Sequence, residues 1–104
     1  MYKPMDRISV IFELNYVLLG MISSSMRAIT IKWTDTTFHL RVYFDENVTE
    51  YEKELANIIE TEIITALPDL TYISHECVVK TGDYRELENI GEMVYLRYEN
   101  GMYD

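Results

Sequence analysis

The sequence predicts an α+β fold: a two-layer sandwich with two helices on one face of an antiparallel four-stranded sheet, in the order αββαββ. Two neighbouring segments alternate apolar and polar residues with period two, and a later segment opens on a helix-capping signature. The paired strands leave no room for crossover helices between them, so each pair reads as a hairpin. With 104 residues the chain can build one hydrophobic core, so residues 1–104 read as a single domain.

Residues 6–21 read as a helix with a broad apolar surface. Ile8, Ile11, Phe12, Leu18 and Leu19 lie along one side, Val10, Leu14, Val17 and Met21 widen it, and Asp6, Ser9 and Glu13 form the polar strip. So apolar a helix is expected to be covered on more than one side, by the core and by a candidate second subunit, as in a homodimer, or another partner. Gly20 and Ser23, Ser24 and Ser25 then end it.

Residues 26–33 place Arg27, Ile29, Ile31 and Trp33 on one face and Met26, Ala28, Thr30 and Lys32 on the other. Residues 38–45 set Phe38, Leu40, Val42 and Phe44 against His39, Arg41, Tyr43 and Asp45. Together they read as a β-hairpin with one buried face. Thr49 with Glu52 three positions on forms a capping box, and the second helix runs from there to about Ala66, where Pro68 turns the chain out. Residues 70–80 and 90–99 alternate more loosely as two further strands, joined by a polar loop with Gly82, Asp83, Glu86 and Glu88.

The formal charge is −9, and it is unevenly placed: residues 1–44 carry +2, residues 45–62 carry −6 and residues 81–104 carry −4. Nucleic acid is a poor partner for such a surface, because phosphate affinity comes largely from counterions released by Lys and Arg. A basic protein suits it better, since opposite fields steer the encounter. Acidity also serves solubility alone. No apolar run approaches a bilayer span and no export signal is recognisable, so no membrane association is expected. The single Cys77 forms no intrachain disulfide, in keeping with a cytoplasmic protein.

On the second helix, Tyr51, Leu55, Ile58, Ile59 and Ala66 are expected to face inward with Glu62 among them, so Glu62 is expected either to have a partner, with Arg27, Arg41 and Arg97 available, or to lie at the core's edge. Glu50, Lys53, Asn57, Glu60 and Thr61 face outward around Ile64, an apolar spot rimmed by polar groups that suits a protein anchor. The outer sheet face would show Lys32, His39, Arg41 and Tyr43, with Tyr95 and Arg97 if the last strand presents that side. Such a face is the alternative reading, a small nucleic-acid-binding or regulatory protein that stacks bases. His75 and Cys77 share a strand face, yet no CxxC or HExxH completes a metal site, and no phosphate loop or nucleophile elbow is present. No enzyme activity, metal or cofactor is expected.

The segments ELNYVLLGMIS (13–23), RAITIKW (27–33), FHLRVYFD (38–45), ETEIITALPD (60–69) and MVYLRYE (93–99) occur in order along most of the chain. In them the sequence resembles a bacterial family of small immunity proteins from contact-dependent growth inhibition and related polymorphic toxin systems. The resemblance implies a cytoplasmic inhibitor that binds the C-terminal toxin domain delivered by a neighbouring cell, in many cases a nuclease with a basic cleft, and blocks its active site. It carries no site residues of its own. Charge points to Asp45, Glu46, Glu50, Glu54, Asn57, Glu60 and Ile64 as the partner-binding surface, with Asp83, Glu86 and Glu88 as a second patch.

Overall fold

A computed structural model describes residues 6–99 and Met102. Along the chain lie α1 (Arg7–Val17), β1 (Met26–Trp33), β2 (Thr37–Phe44), α2 (Glu50–Ala66), β3 (Tyr72–Val79), a 3-10 turn (Tyr84–Glu86) and β4 (Glu92–Leu96). Asp6 caps α1 by accepting the Ser9 amide at 2.8 Å. Thr49 and Glu52 form the expected reciprocal capping box of α2.

The four strands form one sheet in the order β3-β2-β1-β4. β1 and β2 make the expected antiparallel hairpin, but β2 and β3 run parallel in unbroken register from Thr37 opposite Tyr72 to Phe44 opposite Val79. The sheet is therefore mixed, which corrects the wholly antiparallel expectation. The α+β class with two helices and four strands stands. The pairing of β3 with β4 as a hairpin does not: β4 joins the far edge, antiparallel to β1. The reason lies in α2, a helix long enough to serve as the crossover that a parallel pair requires. The 3-10 turn is a further departure from the simple succession αββαββ.

The connection from β3 to β4 crosses the sheet face opposite the helices. Leu87 is buried there with Ala28 and Tyr43, and Val78, Tyr84 and Met93 pack around them. The main core lies on the other face, where Val10, Leu14 and Leu18 near α1 and Ala56, Ile59 and Ile63 of α2 meet Ile29, Ile31, Phe38, Leu40, Val42 and Phe44. β1 is thus covered on both faces and is buried continuously from Met26 to Ile31.

Three assignments of facing change. A bulge between Met26 and Ala28 puts Met26 into the main core with Ile29, so Arg27 does not share a face with Ile29. The buried stripe of α1 is Val10, Leu14 and Leu18, while Ile8, Phe12 and Leu19 lie in solvent. On α2 the buried stripe is Ala56, Ile59 and Ile63, which leaves Tyr51, Ile58 and Glu62 exposed. Glu62 accordingly needs no buried arginine, and Arg27, Arg41 and Arg97 pair elsewhere.

Candidate partner-binding surface

The outward face of α2 brings together much of the expected surface. Glu50, Glu54 and Asn57 are exposed, and Ile64 is 48% exposed beside them on the helix. Glu54 accepts a hydrogen bond from the Asn57 amide at 2.9 Å, and Glu50 lies 3.5 Å from the Lys53 ammonium. The structure adds Tyr51, Ile58 and Glu62 to this face. The result is apolar and aromatic side chains interleaved with carboxylates, a composition suited to a protein interface. Sequence reasoning missed Tyr51 and Ile58 because a helix with apolar residues at so many angles does not reveal which stripe the sheet takes.

Glu60 and Asp45 are also paired within the fold. Glu60 turns to the helix-facing side of β3, where its carboxylate lies 3.2 Å from His75 Nδ1. Asp45 pairs with Arg97 at 2.8 Å and accepts the Asn47 amide at 2.9 Å. Burial works to raise the Asp45 carboxyl, yet the bonds from Arg97 and Asn47 outweigh it and hold the group below its ordinary range. Glu46, one residue on, is exposed.

The second patch lies on the opposite layer, along the β3–β4 connection that covers Tyr43. Asp83 caps the 3-10 turn and is gripped by Arg85 in a two-bond fork at 2.8 and 2.9 Å, which keeps its carboxyl well below the usual range. Glu86 and Glu88 are exposed. No single flat partner surface reaches both patches, since the sheet stands between them.

The outer sheet face has lost the features of a base-stacking platform. Tyr43 is buried under Leu87, with its hydroxyl donating to the Glu88 carbonyl at 2.7 Å. Tyr95 sits opposite Ile29 and packs against the main core instead, because a bulge shifts β4 between its partners Ile29 and Thr30. Arg41 is bonded to Glu76 and Arg97 to Asp45 and Glu99, so neither cation is unpaired.

His39 lies between Ser74 Oγ at 2.7 Å and Glu76 Oε1 at 3.1 Å, a connectivity that outwardly matches a serine–histidine–carboxylate relay. The three arise from cross-strand pairs, His39 opposite Ser74 and Arg41 opposite Glu76. Arg41 is the first cause holding the Glu76 carboxyl low, ahead of His39. The trio is therefore a polar ladder organised around an ion pair, on a sheet face rather than at a sharp strand-to-helix turn.

His75 and Cys77 do share a strand face, but they serve different neighbours: His75 meets Glu60, and the Cys77 thiol lies 3.9 Å from the Lys53 carbonyl. Burial pushes that thiol up, away from reactivity. Among the described residues no group of three or more His, Cys, Asp and Glu side chains could hold a metal ion, and no helix is long and apolar enough to cross a membrane.

A small fold whose exposed helix presents carboxylates around apolar anchors has the character of a binding protein. Its family is more specific: residues 7–99 match the MafI2 immunity proteins, and the chain belongs to that family, the immunity component of a polymorphic toxin (Maf) system. The resemblance noted in the sequence holds at the level of an immunity protein of a polymorphic toxin system. No curated protein matches the sequence.

Proposed function

We propose that this protein neutralises its cognate toxin domain as a stoichiometric, non-catalytic inhibitor, covering the toxin's active site with the acidic outward face of α2. The observation that carries this reading is the concentration of solvent-facing carboxylates, Glu50, Glu54 and Glu62, around Tyr51, Ile58 and Ile64. Such a face complements a cationic cleft built for phosphates, which fits a nuclease toxin acting in the cytoplasm. The apolar side chains supply anchors, while the carboxylates steer the approach. Nucleic acid is not part of this reading, because the ring that would stack a base, Tyr43, lies under the β3–β4 connection.

The test is binding of the purified cognate toxin domain to wild type and to a Glu50→Arg, Glu54→Arg double variant. The variant is expected to associate at least about tenfold more slowly at low salt. Ser74→Ala serves as a control and is expected to bind and protect as wild type does. Unchanged association kinetics in the double variant would remove α2 from the interface. Lost protection in Ser74→Ala with binding intact would point to catalysis.

A further inference from the structure

The most anomalous surface lies on α1. Ile8, Phe12, Tyr16 and Leu19 are 80%, 67%, 72% and 70% exposed, although each is large and apolar or aromatic. Counted at 100° per residue along α1, Ile8, Phe12, Asn15 and Tyr16 share one face about 100° wide, opposite the buried Val10 and Leu14, and Leu19 is exposed in the turn that follows the helix. At about 150 Å² for each large side chain, the stripe offers roughly 600 Å² of apolar surface, the upper end of what a monomer ordinarily leaves bare.

The stripe carries no charge, on a protein whose net charge is −9. The charged side chains of α1 and its cap are Asp6, Arg7 and Glu13, two acids and one base, against seven acids and one base in residues 45–62. Arg7, at the helix start, is already bonded to Glu92 of β4. A cationic partner gains nothing electrostatically from such a stripe. Two copies of this chain, by contrast, approach each other there with less repulsion than at either acidic patch.

The spacing of the stripe fits the same occupant. Ile8, Phe12, Asn15 and Leu19 follow one another at intervals of four, three and four, the alternation of a helix–helix seam. Two antiparallel α1 helices related by a two-fold axis would set Phe12 against the second copy's Asn15 and bring Ile8 toward its Leu19 in the turn after the helix, and their dipoles would oppose favourably. Two such stripes meeting bury at most about 1,200 Å², Tyr16 at the flank included, which is the lower bound of a stable interface.

We infer that the protein forms a two-fold dimer through the exposed stripe of α1, leaving the α2 face of each copy open to the toxin. This inference rests on α1 alone and stands or falls apart from the toxin reading. Sedimentation equilibrium of the wild-type chain is expected to give twice the chain mass at micromolar concentration. Phe12→Glu is expected to weaken self-association by roughly thirtyfold or more, with an unchanged far-UV circular dichroism spectrum. Should that spectrum change, Leu19→Lys, beyond the helix proper, repeats the test. Ile64→Glu, on α2, is expected to remain dimeric.

A wild-type monomer throughout that range would overturn the inference, as would dimers that survive both α1 substitutions. A monomeric wild type whose toxin binding is abolished by Phe12→Glu would assign the stripe to the toxin instead.

Discussion

Arg27 shows how a single residue can tie distant parts of this chain together. The bulge after Met26 turns it out of the main core, yet it is only 3% exposed. Its guanidinium donates to Glu99 at 2.7 and 2.8 Å, to the Lys80 carbonyl at 2.8 Å and to the Gly82 carbonyl at 2.8 Å. One side chain thereby joins β1, the exit of β3 and the segment after β4. This fork is the main cause that holds the Glu99 carboxyl below its ordinary value, against burial that works to raise it. Because the folded value is lowered, the stabilisation is present in full above the unfolded value of about 4.3 and is lost as the pH falls through the folded one. Wild type is expected to exceed Glu99→Gln in stability by about 1–3 kcal/mol at neutral pH, with the gap closing below about pH 4, as urea unfolding across that range would show. A gap that persisted at low pH would mean that the pair contributes no charge-dependent stability.

Among the elements, the β3–β4 connection decides most. It carries the chain from one edge of the sheet to the other and covers the face that the helices leave open. Its return onto β1 depends on Gly91, where an added Cβ would stand 2.6 Å from the Ile31 carbonyl oxygen. Backbone cannot yield there as a flexible side chain would, so Gly91→Ala is expected to cost about 1–3 kcal/mol in a denaturant titration. The loss should be accompanied by faster amide exchange in β4 than in β2, because β4 is the edge strand this contact positions. The earlier turn at Gly82 has φ of +95°, a backbone conformation that glycine adopts without strain. From sequence Gly82 reads only as part of a polar loop and Gly91 as part of the last strand, whereas β4 begins one residue later, at Glu92.

For the whole molecule, the proposed arrangement separates two kinds of surface. One is acidic and faces out from α2; the other is neutral and apolar and faces out from α1. Their responses to salt should differ. Raising ionic strength from 0.01 to about 0.15 M shortens the screening length from about 30 Å to about 8 Å, so association with the toxin is expected to slow. Self-association through α1 should hold or strengthen, since screening weakens repulsion between two acidic bodies while leaving apolar burial intact. Stopped-flow association and sedimentation, run on the same salt series, would reveal the split. A parallel loss of both would show that one surface serves both partners.

Much of this was legible in the sequence because it depends on neighbours along the chain. Period-two alternation placed β1 and β2, the Thr49–Glu52 pair placed the start of α2, and the charge census placed the acids, since each signal is local and survives in any tertiary arrangement. The segments that marked the immunity-protein resemblance were of the same kind, apolar stretches that specify elements. What remained hidden required contacts between distant residues. Apolar side chains at many angles around α1 and α2 admit several buried stripes, and only packing against the sheet selected Val10 and Leu14 over Ile8 and Phe12. Likewise, only the completed fold could decide that Glu60 answers His75, that Asp45 answers Arg97, and that β3 runs parallel to β2. Those outcomes depend on which strand edge and which cation lie nearby in space, a quantity that local periodicity does not encode.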